Sequence, residues 1–272
     1  MVIYTCKDTF SDILCSAFGA LGEEAGPEQV RLELEGIGDM ELFAVYRQAE
    51  VSDTVFREAV SQIRRKISPA VYEKVYLASL SREMDKADWI YRFLVSGFQY
   101  GSAVMEMLHL EEVSRIMKMC RFVQNESHLL TGFLRFAQAG GDLLIGRIGP
   151  KNDVLPLLAW HFSDRLAGEN WMIYDEHRKK AVLHPAGGRW FVLNKEDEAW
   201  QEKLSWKTDE EEYQALWRTF HETAAIPERA NALCQRTHLP LRYRPYMTEF
   251  QKGNPAEFDD FAAGGIAGVS GV

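Results

Sequence analysis

The rhythm of apolar and polar positions changes several times along this chain. Val2 to Thr5 reads as a short strand, and Phe10, Ile13, Leu14 and Phe18 then recur at helical spacing, predicting a helix over 8–18. A loop spans Gly19 to Pro27, and 30–34 and 42–46 are candidate strands. Ser52 is placed to cap a helix whose apolar stripe is Phe56, Ala59, Val60, Ile63 and Ile67. Helices are predicted over 70–80, 86–100 and 111–124, the last with Val113, Ile116, Met117 and Cys120 on one face. Texture shifts at Leu129. Two apolar runs, 131–137 and 143–148, meet through Gly140-Gly141 and predict a hairpin. Asp153 is placed to cap a helix running to about Ala167, with Pro156 in its first turn and Gly168 at its end. Strands at 171–174 and 181–184 make a second hairpin around Asp175-Glu-His-Arg-Lys-Lys180. Thr208 and Glu211 form a capping box, and Tyr213, Leu216, Trp217 and Phe220 follow at i, i+3, i+4, i+7.

These elements predict an α+β fold, mostly helical, with a central antiparallel sheet from the two hairpins and a helical C-terminal arm. The helix after Asp153 is expected to pack on that sheet through Leu158, Phe162 and Leu166. Residues 1–252 are expected to form a single α+β domain, with candidate subdivisions near 128 and 206. The Gly- and Ala-rich stretch 253–272 has few large apolar side chains and is expected to be a disordered tail.

Composition narrows the function. The chain has 272 residues, 46% hydrophobic and 26% charged, which is ordinary for a globular protein. No apolar run approaches the roughly 20 residues that span a bilayer, and the first residues do not read as a secretory leader. Cys6, Cys15, Cys120 and Cys234 form no CxxC pair. They read as reduced thiols of a cytoplasmic protein, Cys120 in a core, and no metal or cofactor is expected. With 31 Lys and Arg against 40 Asp and Glu, the net charge is -9. Such a surface repels phosphate on average, so any nucleic-acid contact has to be local.

One local basic island stands out. Between Ala225 and Phe250 lie Arg229, Asn231, Arg236, Arg242 and Arg244, interleaved with Tyr243, Tyr246 and Phe250. Guanidinium groups suit phosphate and aromatic faces suit bases. Arg229, Ile226, Leu233, Leu239 and Leu241 are expected to belong to an ordered arm, the leucines and isoleucine anchoring it. His161 and Arg165, four apart on one helix, could contact an anion or edge a solvated face. Arg135 sits in an apolar run and needs either an ion pair, Asp175 being one candidate, or a ligand. Asp175 and Arg178 fit turn chemistry plus a local ion pair, or a site. Arg64, Arg65 and Lys66 read as a solvated helix end that offsets the macrodipole. There is no GxSxG, P-loop, GxGxxG or zincin motif.

Several segments in register resemble one bacterial family. They are Tyr4 to Phe18; Glu126-Ser-His128 with Gly132-Phe-Leu-Arg-Phe136; Leu155-Pro-Leu-Leu-Ala-Trp-His-Phe-x-x-Arg165; Trp171-x-Ile-Tyr-Asp175-x-x-Arg178; Leu216-Trp217; Ile226-Pro-Glu-Arg229-x-Asn231; and Pro240-x-Arg242-Tyr243. The resemblance is to DNA metabolism or DNA repair proteins built on a domain of unknown function. It implies a companion of a DNA-repair radical SAM protein, and similar domains occur fused to uracil-DNA glycosylase. No such module and no CxxxCxxC is present here, which fits the stand-alone partner form. Arg244 stands where the family tends to have Trp, and Ala232 where Pro often follows Asn.

Three functions are compatible with these residues. The first is a DNA-directed accessory protein that binds nucleic acid or presents it to a radical SAM partner. It would use Arg135, Arg165, Arg178, Arg229, Asn231, Arg242, Tyr243 and Arg244. The second is an enzyme on a nucleobase or phosphodiester, with His161 or Asp175 as acid/base and His128 beside them. The third is a protein-protein adaptor without nucleic-acid contact.

Overall fold

The computed structural model describes residues 1–37, 41–139, 142–193, 211–224 and 231–250. Arg229, Ile226, Thr208 and the 253–272 stretch lie outside them. The chain divides into two compact units, one of residues 1–129 with 150–154 and one of the remainder.

The first unit begins with a parallel sheet. Strand β1 (Val2–Cys6) lies between β2 (Val30–Leu34) and β3 (Val45–Arg47), parallel to both. Helix α1 (Phe10–Leu21) returns β1 to β2. It is capped by Thr9, whose hydroxyl accepts from the Asp12 N–H at 3.2 Å. Alternation along β2 buries Val30, Leu32 and Leu34 beneath the helices.

Helix α2 (Asp53–Gln62) starts at Ser52, which accepts from Val55 N–H at 3.3 Å as its spacing predicts. A π-helical turn, Ile63–Ile67, follows. It exposes Arg64, Arg65 and Lys66 while burying Ile63 and Ile67. Ser68 then caps α3 (Pro69–Ser79). Helix α4 (Lys86–Tyr100) passes Ile67 closely at Gly97, where a Cβ would sit 2.9 Å from Ile67 Cδ1. Helix α5 spans Glu111–Phe133, longer than its apolar stripe predicts. Residues 131–133, expected in a strand, are its last turn. Phe10 fills the centre of an aromatic cluster, 5.6, 5.9 and 5.1 Å from the rings of Phe56, Tyr72 and Tyr76.

The second unit is built on a five-stranded sheet of order β4-β5-β6-β7-β8. The strands are β4 (Phe136–Gln138), β5 (Leu143–Ile148), β6 (Asn170–Asp175), β7 (Lys180–His184) and β8 (Phe191–Leu193). Both expected hairpins exist, β4 with β5 and β6 with β7, each antiparallel. The sheet is nevertheless mixed, because β5 and β6 pair in parallel, Leu143 opposite Asn170 through Ile148 opposite Asp175. The cause is helix α6 (Leu155–Arg165), which carries the chain back across the sheet between them. Phe162 of α6 meets Phe136 and Trp171 at 5.1 and 6.5 Å, and Leu158 is buried beside it. Two further helices, α7 (Glu211–Ala224) and α8 (Ala232–His238), precede a 3-10 segment over Leu241–Tyr246. Among the described residues no helix is long and apolar enough to cross a membrane.

Candidate functional site

The C-terminal arm is fixed to the second unit by residues 243–249. Tyr243 is 1% exposed, with its ring 5.8 Å from Phe133, and Met247, four residues on, is also buried. The Tyr246 hydroxyl donates to Glu176 Oε2 at 3.2 Å. Burial first, then the neighbouring Glu176 carboxylate, pushes that phenol well above its ordinary value. Gly149, just past β5, makes room for this ring, since a Cβ there would lie 2.8 Å from Tyr246 Cζ. Of the expected anchors, Leu233 and Leu241 are exposed, Leu239 is half-buried and Ile226 lies outside the described residues. A leucine at helical spacing signals burial only where another element covers it, and the aromatic rings hold this arm.

Arg135 finds its partner in the same arm. Its guanidinium donates to Glu249 through Nη2 at 2.8 Å and Nε at 3.3 Å. The Trp217 indole on α7 donates to the same carboxylate at 3.1 Å. Burial alone would raise the Glu249 pKa, but hydrogen bonds from Arg135 and Trp217 outweigh it and hold the group below its usual range. Asp175, the other candidate partner, belongs instead to the β6–β7 turn. It is fully buried, accepts from the His177 and Arg178 N–H groups at 3.0 and 3.2 Å, and takes Arg178 Nη1 at 3.0 Å. Burial raises its pKa and Arg178 offsets this only in part. The turn-plus-ion-pair reading of Asp175 and Arg178 matches this geometry.

Thus Arg135 and Arg178 sit in separate ion pairs, with Glu249 and Asp175 respectively. His161 and Arg165 are exposed on α6. Beside them stands Trp160, 69% exposed and 6.1 Å from the ring of Trp190. His128 is exposed on α5. Asn231 caps α8, accepting from Cys234 N–H at 2.9 Å, so its motif position has a structural role.

Arg242 is exposed, its Cζ 4.5 Å from the Tyr243 ring centroid and its Nη2 2.6 Å from the Tyr243 hydroxyl oxygen. Arg244 lies over Phe250 at 4.8 Å and donates to Gln235 at 3.4 Å, while its buried Nε–H makes no hydrogen bond. Tyr243 itself is spent on the core, so phosphate contact rather than base stacking is the chemistry this turn offers. By sequence the second unit holds sixteen Lys and Arg against nineteen Asp and Glu, and the first fifteen against twenty-one, so both are acidic.

One structural tie was missed by pattern reading. Glu126 is buried on α5 and accepts from Lys151 N–H at 3.0 Å, Asn152 N–H at 2.8 Å and Asn152 Nδ2 at 2.6 Å. Asn152 Oδ1 in turn accepts from Arg82 N–H at 3.0 Å. The signal was present: an acid three residues beyond Val123, on the apolar stripe of the helix, has to find donors inside. Among the described residues no group of three His, Cys, Asp or Glu side chains gathers as a metal site.

No curated protein matches the chain. A family model described as a domain of unknown function, DUF4130, matches residues 84–249, from the start of α4 through Glu249 of the Arg135 pair. The chain belongs to the DUF4130 family.

Proposed function

We propose that this protein is a DNA-directed accessory factor that binds nucleic acid locally and works with a partner enzyme. The observation that carries the reading is the arm. Buried Tyr243 and Met247 pin a 3-10 turn that carries exposed Arg242 and half-buried Arg244. A pre-ordered pair of guanidiniums loses little entropy on meeting phosphate. Asp175 has both carboxylate oxygens committed to its own turn, which gives the accessory reading better support than the enzymatic one.

A specific observation also favours partner docking. Leu216 and Phe220 of α7 are 65% and 60% exposed, and Trp217 stacks on Phe220 at 5.8 Å. Exposed apolar side chains on one helix suit a protein surface. The resemblance supplies the candidate partner, a DNA-repair radical SAM protein. The test is fluorescence anisotropy with labelled single-stranded and duplex DNA across salt, with and without that partner. Arg242→Ala with Arg244→Ala should make the salt dependence shallower by about one unit per lost phosphate contact. Binding that is absent at low salt, alone and with the partner, overturns the nucleic-acid reading and leaves the adaptor reading on α7.

A further inference from the structure

Helix α5 has a second, unassigned surface. Its inward stripe, Val113, Ile116, Cys120 and Val123, is buried, and so is Glu126. Its outward positions are Ser114, Arg115, Lys118, Arg121, Phe122, Gln124, Asn125 and His128, all exposed. From Ser114 to His128 the exposed residues include three cations and no acid. This occurs in a unit whose described residues are acid-rich.

At 100° per residue, Ser114, Lys118, Arg121 and Asn125 fall within a stripe about 60° wide. It is about 16 Å long at roughly 1.5 Å rise per residue. Lys118 lies 5.9 Å from the Phe122 ring centroid. Arg115 flanks the stripe, 3.6 Å from Glu111 and over Trp89 at 5.1 Å, with Trp89 donating to Asp85. Glu111 is the first residue of α5, whereas Asp85 precedes α4, which runs antiparallel to α5 with Ser96 on Glu112 and Trp89 on Arg115. Among the described residues neither Lys118 nor Arg121 forms an ion pair.

We infer that this face of α5 is a second nucleic-acid contact, specific for B-form duplex DNA, distinct from the arm. The inference rests on the nucleic-acid reading above only for the class of ligand. Charge selects a polyanion, and the rest of the stripe selects which one. A membrane-surface helix needs a free apolar face, but that of α5 is already in the core and Phe122 alone is left outside. Ser, Asn, Gln, Lys and Arg are the donors that read phosphates and base edges. A helix enters the major groove of B-DNA, whereas that of A-form RNA is too narrow for side chains to read.

The test uses the full chain with a labelled duplex, a single strand of the same sequence, an RNA duplex and anionic vesicles. Wild type is compared with Lys118→Ala/Arg121→Ala and with Arg242→Ala/Arg244→Ala, after matching circular dichroism and melting curves. Loss of two backbone contacts should make the duplex salt slope shallower by about 1.8, since each phosphate contributes roughly 0.9. Binding to single strands should not change. If the arm variant weakens DNA binding and the α5 variant leaves the duplex slope unaltered, the α5 inference fails and the arm reading stands. The reverse pattern removes the arm and keeps α5. Wild type that binds no DNA overturns both. Equal loss on RNA duplex, or binding confined to vesicles, overturns the choice of ligand.

Discussion

Glu249→Gln removes the charge that Arg135 is paired with but keeps an acceptor for the Trp217 indole. The Glu249 side chain is 3% exposed and that of Arg135 27%. Removing one partner of a fully buried pair costs about 3–5 kcal/mol. Arg135 reaches water and also donates to the carbonyls of Gly132 and Leu134 at 2.8 and 3.2 Å. Those alternatives reduce the expected loss to about 2 kcal/mol. Urea unfolding followed by tryptophan fluorescence measures it, with Trp217 as a reporter beside the pair. Arg135→Ala and the double variant complete a cycle, whose coupling should be on the order of 1.5 kcal/mol. The pH dependence adds a second check. A carboxylate held below its unfolded pKa, which is about 4.3, contributes stability above that value and loses it as pH falls through the lowered folded value. The gap between wild type and Glu249→Gln should therefore be constant from neutrality to about pH 5 and close below about pH 4. Asp175, raised by burial, titrates in the opposite sense and is common to both proteins, so it cancels in the difference. Coupling below about 0.5 kcal/mol, or a gap that persists unchanged to about pH 3, refutes the assignment of Arg135–Glu249 as the clasp of the arm.

Three further outcomes follow from named contacts. Gly149→Ala should destabilise by about 1–3 kcal/mol because Tyr246 fills the space a Cβ needs; Tyr246→Ala in the same chain should recover part of the loss in urea melts. Tyr243→Ala should cost about 3–5 kcal/mol through the cavity beside Phe133, whereas Leu241→Ala, on an exposed neighbour, should stay within about 0.5 kcal/mol in the same assay. Glu126→Ala strands the Lys151 and Asn152 donors, so amide exchange over 150–153 should accelerate together with a loss of at least about 2 kcal/mol; an unaffected loop would show that the tie is dispensable.

The elements were legible where the signal is local. Ser52 caps its helix as the spacing requires, and the β6–β7 hairpin closes on Asp175 for the reason Asp starts turns. The parallel pairing of β5 and β6 was not, although α6 was foreseen. Two hairpins separated by a helix satisfy an antiparallel arrangement equally well until the register of the crossover is known. The end of α5 was misplaced for a related reason. Thr131 to Phe133 carry strand-forming residue types, but helical hydrogen bonding continues from the preceding turns, and propensity gives way to context.

The candidate site divides along the same line. That Arg135 needed a partner was readable from a charge in an apolar run, yet Glu249 lies 114 residues away and no spacing rule reaches it. The motif positions then separate by what they touch. Glu126, Arg135, Asp175, Arg178, Asn231 and Tyr243 are held in caps, turns, ion pairs or core, which accounts for their residue types without any ligand. Arg242 and Arg244 lie over Tyr243 and Phe250, while His161 and Trp160 are exposed on α6. An exposed tryptophan beside an exposed histidine adds nothing evident to the core. In a chain whose net charge is -9, the proposed nucleic-acid reading would bring an external anion to the arginines of the arm. The anchoring residues are therefore the ones to leave intact, and the displayed ones the ones to change, when that anion is sought.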